Sequence, residues 1–275
     1  MTARTPASSG PARRVRPPAV AGTFYPADPA ELRAALRRSF AEAVPAPSVV
    51  AAPKALVVPH AGFVYSGPVA ASAYQRLAPI GHRIERVVLL GPSHRVAFRG
   101  LALSTADEWA TPLGPVPVDR SAVDSCVGRR GVVVSDAAHA QEHSLEVHLP
   151  FLQSVLDRFE LVPVVVGDAP ADEVAELLEH LWGGPETLIV VSTDLSHYLA
   201  YDDAVRLDAR TAAAIVARRP DQVGDHDACG CRPLRGLLRA AVDRDLQVEQ
   251  VDLRNSGDTA GPRDQVVGYG AFALA

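Results

Sequence analysis

Val87-Val88-Leu89-Leu90-Gly91-Pro92-Ser93-His94 decides how the rest of the chain is read. Four apolar residues, two of them β-branched, make a run too short for a helix and suited to a strand buried on both faces. Gly91 and Pro92 end it, because glycine permits a tight turn and proline has no N–H to give to a sheet. A histidine follows at once. Outward from this segment the construction recurs. Ala55-Leu56-Val57-Val58 runs into Pro59-His60-Ala61-Gly62, and the apolar run 188–191 runs into Ser192-Thr193-Asp194-Leu195-Ser196-His197. A further run of this kind spans 161–166.

The segments between these runs have helical spacing. Asp28 can cap a first helix, with Pro29 at its first position and Glu31 three after the cap. Leu32, Leu36 and Phe40 then share one face. Further helices are predicted over 66–77, 144–156, 171–181 and 203–218, and one from Cys229 to Val242. The Pro/Ala-rich stretch from Val44 to Pro53 reads as a loop, and two strands, 247–253 and 265–274, close the chain. Short apolar strands alternating with helices predict an α/β fold. Its core is a central, mainly parallel or mixed sheet flanked by helices. No repeat or linker divides the chain, so the expected organisation is a disordered tail at 1–15 and a single domain at 16–275.

The 275 residues suffice for a large core without disulfides or structural metal. A net charge of −5 gives no footprint for nucleic acid. Arginine is abundant and Lys54 is the sole lysine, a bias that reads as coding background, so the arginines are weak evidence for phosphate binding. Three cysteines, Cys126, Cys229 and Cys231, make no disulfide framework and read as reduced thiols. The first residues lack the apolar core of a signal peptide, and no run is long enough to span a bilayer. A soluble, cytoplasmic protein is therefore expected. Serine hydrolases, P-loop enzymes and dinucleotide enzymes lose their case, since none of their glycine-bearing motifs is present.

Parallel strands bring their carboxyl ends to one edge, where ligands of such sheets bind. Three of the nine histidines, His60, His94 and His197, follow predicted strand ends. Any one alone would read as a loop residue; three at equivalent positions suggest a shared crevice. Cys229, in Asp227-Ala228-Cys229-Gly230-Cys231, is placed at the predicted helix start, where the dipole favours thiolate. A thiolate is a ligand for Fe, Cu or Zn and also a nucleophile; the alternative is a small buried side chain. Glu142-His143-Ser144-Leu145-Glu146-Val147-His148 is not a zincin motif, because its histidines are five apart. It reads either as a solvated helix edge or as groups that orient a ligand. Cys126 reads as structural.

Several segments taken together resemble a known family. They are RPPAVAGTFYP (16–26), PHAGFVYSG (59–67), GPSH (91–94), EHSLEVHLPFL (142–152), STDLSHY (192–198), ACG (228–230) and SGDTAGPRDQVVGYGAFA (256–273). They resemble the Memo family, whose bacterial and archaeal members are called AmmeMemoRadiSam system protein B. The resemblance covers nearly everything after residue 15. It implies a fold like that of class III extradiol dioxygenases (LigB-like). It implies Fe(II) or Cu(I/II) held by His60, His94 and Cys229, with His197 and Asp194 lining the pocket as the acid–base pair. Tyr65, Glu142 and His143 fall in motifs that approach the pocket. One departure is Arg95, where many members carry a second histidine after GPSH. If that histidine helps to hold metal, affinity falls here; the arginine would favour an anionic substrate.

The expected function is a metal-dependent redox protein, in which His197 supported by Asp194 transfers protons. Two alternatives stand beside it. One is a non-catalytic binding module for a small molecule or peptide, working with AMMECR1-like and radical SAM proteins. The other is a hydrolase using Cys229 and His197.

Overall fold

The computed structural model describes residues 13–46 and 52–275. The expected tail and the expected Val44–Pro53 loop thus lie partly outside the described residues. Arg13 and Arg14 are within them and bond Glu108 and Asp107. The first strand, β1 (Val15–Arg16), pairs with Glu108 and Trp109. The chain therefore enters the fold ahead of the expected boundary at residue 16.

Helix α1 (Pro29–Ala41) begins as the sequence predicts. The Asp28 carboxylate accepts the N–H groups of Ala30 and Glu31, and Leu32 and Leu36 are buried. The fully buried β2 (Ala55–Val58) leads into α2 (Phe63–Tyr74), which starts three residues before the predicted 66 and tightens at its end into a 3-10 turn, Gln75–Leu77. After β3 (Arg86–Pro92) comes an excursion that apolar periodicity does not mark. It holds β4 (Leu101–Leu103), β5 (Glu108–Trp109), β6 (Val116–Pro117), α3 (Arg120–Cys126), β7 (Val132–Val134) and α4 (Asp136–Ala140). The predicted helix 144–156 resolves into a 3-10 turn, Glu146–His148, and α5 (Leu149–Val155), which has Pro150 in its first turn.

Next come β8 (Glu160–Val166), α6 (Ala171–Leu181), β9 (Thr187–Ser192) and β10 (His197–Leu199). They are followed by α7 (Tyr201–Val216), α8 (Cys231–Asp243), β11 (Val248–Asn255) and β12 (Val266–Leu274).

Nine strands form one mixed sheet in the order β10-β12-β2-β9-β3-β8-β4-β7, with β11 on β12. Its centre, β2-β9-β3-β8, is parallel, while β12 joins β2 and β4 joins β8 antiparallel. The register sets Val58 beside Ser192 and Leu90 beside Val191. β9 thus lies between β2 and β3, and the loops after all three strands emerge on one edge. Helices flank the sheet: α6 packs on α8, which meets β3 and β9, and α2 packs on α1, α5 and β2.

A buried ion pair closes the far side of the 142–148 segment. Glu146, wholly buried, accepts the Arg16 guanidinium, the N–H groups of Ala19 and Val20, and the Tyr25 hydroxyl. Arg16 also bonds the carbonyls of His139 and Glu142 and lies 4.4 Å over the Trp109 ring. This arrangement fixes β1 and the following loop to the body of the protein.

Candidate metal centre

His60 follows β2, His94 follows β3, Asp194 follows β9, and Cys229 sits just before α8. One ring nitrogen each of His60 and His94 and the Cys229 Sγ lie within 4.8 Å of one another. The His60 Nε2–Cys229 Sγ distance is 3.3 Å. Nitrogen and sulfur donors on one tetrahedral ion, at about 2.0 and 2.3 Å from it, stand about 3.5 Å apart. Two glycines permit this convergence. A Cβ on Gly91 would meet Ser144 Oγ at 2.7 Å, and one on Gly230 would meet the Ser192 carbonyl oxygen at 2.5 Å.

The hydrogen bonds assign the tautomers. Ser192 Oγ lies 2.6 Å from the Ser144 carbonyl, which can only accept, so the serine hydrogen is committed there. The His60 Nδ1 at 2.6 Å from the same Oγ is therefore a donor, and Nε2 is left with its lone pair. His94 Nδ1 lies 2.9 Å from Glu142 Oε1. Glu142 also accepts the N–H groups of His94, His143 and Ser144. Burial pushes its carboxyl up, but these bonds more than offset that and hold it at about 2. An ionised Glu142 makes His94 Nδ1 a donor and leaves His94 Nε2 bare. His197 Nδ1 donates to the Leu195 carbonyl at 2.8 Å, so its Nε2 is bare as well.

Burial, reinforced by His94, His143, His148 and His197, keeps His60 well below the usual imidazole range. Burial and then His94 bring His143 down to about 4. The ring of His143 stacks 4.7 Å from that of His94, and its Nδ1 is buried with no hydrogen-bond partner. His94, Glu142 and His143 form a second group of potential ligand atoms. It fits an ion less well, because Glu142 already accepts four N–H groups. The solvated-edge reading of this segment fails, since Glu142 and Glu146 are both wholly buried.

Two expectations are corrected. Helix α8 begins at Cys231, with Gly230 at its cap, so Cys229 lies outside the helix and gains no first-turn dipole. Burial, then the Asp194 charge, pushes its thiol well above the usual range. Asp194 does not bond His197. Its carboxylate accepts the N–H groups of His60 and Ala61, and burial pushes it up to about 7 against those bonds. Cys231 does not compete with Cys229: its Sγ faces the Asp225 carbonyl at 3.8 Å, and both thiols are free. Cys126 is buried and donates to the Ala122 carbonyl.

Tyr65 and Tyr198 flank the pocket and are the exposed tyrosines of the described residues, at 40% and 70%. Tyr198 has φ +58°, a left-handed conformation that costs energy for a non-glycine residue. Both interact with the buried Tyr269, whose hydroxyl is pushed up by burial and then by Asp194. Arg95 is exposed, opposes protonation of His143, and makes no salt bridge among the described residues. Sequence reasoning missed Ser192, His148, Tyr198 and Tyr269. All four lie in the quoted motifs, but their roles come from partners distant in sequence. The largest cavity, about 990 Å³, lies at the opposite strand edge, near Glu85 and Glu160, away from this chemistry.

An α/β fold with a mixed sheet, carrying a His/His/Cys cluster at the carboxyl ends of its parallel strands, defines the class. A family described as Memo-like protein matches residues 16–273, and the chain belongs to that family. It is 38% identical to a MEMO1 family protein of Ignicoccus hospitalis, over 94% of this chain and 97% of the relative. It is 38% identical to one of Methanopyrus kandleri (94% and 98%) and 35% identical to one of Aquifex aeolicus (93% and 97%). The crystal structure of an uncharacterized protein of Escherichia coli K12 shares the fold. It has a TM-score of 0.54 and 14% identity, over 78% of this chain and 98% of that one. No helix of the described residues is long and apolar enough to cross a membrane.

Proposed function

We propose that this protein binds one redox-active metal ion, iron or copper, through His60 Nε2, His94 Nε2 and Cys229 Sγ, and works as a metal-dependent redox protein. One observation carries the reading. Two imidazoles whose Nδ1 hydrogens are committed elsewhere turn bare Nε2 atoms toward a buried thiol. Two nitrogens and a thiolate suit soft or borderline metals, and so copper or iron rather than magnesium or calcium. Such an ion, when bound, would supply one-electron chemistry and draw the thiol to its thiolate form.

The chain's own groups would handle protons. His197, with Nε2 bare and Nδ1 anchored on Leu195, takes a proton from a ligand at the pocket mouth. Asp194, poised at about 7, exchanges one beside His60. Arg95 draws an anionic ligand to the rim. The thiol-hydrolase reading loses support, because Cys229 is pushed up while His60, its imidazole neighbour, is pushed down, which disfavours a thiolate–imidazolium pair.

A second reading has its own observation. Tyr65, Tyr198 and Arg95 present exposed aromatic and cationic side chains around the pocket, a surface suited to a peptide or protein partner. AMMECR1-like and radical SAM proteins are the partners to try, in a role without chemistry of its own.

The deciding experiment is metal content by mass spectrometry on tag-free protein purified anaerobically, with His60→Ala and Cys229→Ala alongside. Near-stoichiometric iron or copper in the parent, lost in both variants, is the expected result. A parent that stays empty and refuses added Fe(II) and Cu(I) overturns the metal reading and leaves the binding module.

A further inference from the structure

Behind His60, on the side away from Cys229, lies a chain of polar groups sealed inside the protein. Tyr74 Oη lies 2.9 Å from His148 Nδ1, and His148 Nε2 lies 2.8 Å from Ser192 Oγ. His60 Nδ1 approaches the same Oγ at 2.6 Å, and the hydroxyl itself donates to the Ser144 carbonyl at 2.6 Å. Tyr74 and Ser192 are wholly buried, and His148 is 1% exposed. Buried polar groups of this kind are retained where every member is satisfied.

The donors and acceptors allow one consistent assignment. The Ser144 carbonyl takes the serine hydrogen. Both imidazoles facing Oγ must then donate, filling its two lone pairs. With Nε2 of His148 protonated, its Nδ1 accepts from the Tyr74 hydroxyl. Ser192 Oγ thus has its full complement of three hydrogen bonds and no hydrogen to offer His60. The opposite His60 tautomer would leave Nδ1 facing the serine lone pairs and put a hydrogen on Nε2, toward Cys229. The Ser144 side chain is held too, its Oγ donating to the Pro92 carbonyl at 2.8 Å. The absent side chain of Gly91 leaves room for it.

We propose that Ser192 and His148 are positioning residues that hold His60 in its Nδ1–H tautomer and fix its ring plane, so that Nε2 is always presented as a lone-pair donor to the pocket. The inference rests on the metal reading for its purpose. Its structural content is the tautomer, which can be read with no metal present. Partners of this kind, one bond removed from the ligand, typically carry about 10- to 100-fold in metal affinity. His148 would act without touching the ion, by occupying the second lone pair of Ser192 and preventing the hydroxyl from shifting.

The test has two measurements. Long-range nitrogen–proton NMR correlation on metal-free protein at about pH 8, where an ordinary imidazole is neutral, reports each histidine tautomer. Co(II) affinity, by competition with a chromophoric chelator, reports the consequence. The parent should show His60 as the Nδ1–H form alone. Ser192→Ala should give a mixture of tautomers and bind Co(II) about 10- to 100-fold more weakly, and His148→Leu should weaken binding in the same direction. His148→Gln keeps an N–H toward Ser192 and an acceptor toward Tyr74, and should restore most of the affinity. A parent His60 carrying its hydrogen on Nε2 overturns the proposal even if every variant fails to fold. So does a folded Ser192→Ala with tautomer and affinity unchanged. A parent with the Nδ1–H signature and no Co(II) binding overturns the metal-presenting role and, separately, the metal reading.

Discussion

Glu142 and Glu146 lie four residues apart in one segment, and both are wholly buried, yet they serve different regions of the molecule. Glu142 faces the strand edge, where it gathers the main chain of the 142–144 turn and orients the His94 imidazole. Glu146 faces the other way. Its partners are Arg16, Ala19, Val20 and Tyr25, so it ties the first described stretch of chain to the body. Each carboxylate is supplied with donors by the side it faces. Burial and charge alone do not distinguish a group that serves a site from one that serves the fold; the identity of the donors does.

That contrast can be broken at either end. The largest effect is expected at Glu146. Glu146→Ala leaves Arg16 charged and buried without its partner, and should lower stability by about 3–5 kcal/mol in urea denaturation. A variant as stable as the parent would show that the N-terminal attachment does not depend on this pair. The next effect belongs to Glu142. Glu142→Gln replaces the ionised acceptor of His94 and should weaken Co(II) or Cu(I) binding by about 10- to 100-fold, with the fold retained. If it instead unfolds the protein as readily as Glu146→Ala, the two glutamates are both structural and the contrast fails.

The smallest expected effect is a pH slope on the Glu146 side. Burial brings the His139 imidazole down to about 4, against its bond to the Ala102 carbonyl. The unfolded chain takes up a proton below about 6.5 that the folded His139 refuses. Its contribution to stability is therefore complete above that pH and is lost as pH falls from 6.5 toward 4. His139→Phe should reduce the acid slope of the unfolding free energy by about 1.4 kcal/mol per pH unit in that window. An unchanged slope would place the proton uptake elsewhere, His148 being the next group to try.

The four central strands were legible because burial on both faces makes them continuous Val/Leu/Ile runs, and their shared direction then predicted where His60, His94 and His197 would meet. The first helix was legible from Asp28 and Pro29, and 171–181 from its apolar spacing. The short strands at 101–103 and 132–134 were not. Three residues carry too little pattern, and Val133 and Val134 are exposed, their place set by pairing with distant chain. Pro150 was the available signal that the predicted helix at 144 starts late, since the residue before a proline resists helical geometry. The Asp194–His197 partnership was read from closeness in sequence. The structure gives Asp194 to the main chain of His60 and Ala61, because β10 turns away to pair with β12. The tautomers were beyond the sequence altogether. Ser192, Ser144 and Glu142 act on rings dozens of positions away.

The placement of β9 between β2 and β3 also makes the site a gauge. His60 and His94 ride on backbone ladders two strand spacings apart, about 9.6 Å, and their side chains close the remaining gap from opposite jaws. The span of such a calliper is set by sheet hydrogen bonds rather than by loop flexibility. The opening should therefore tolerate sequence drift in the loops and respond to changes inside the central strand, far from any atom that touches the contents.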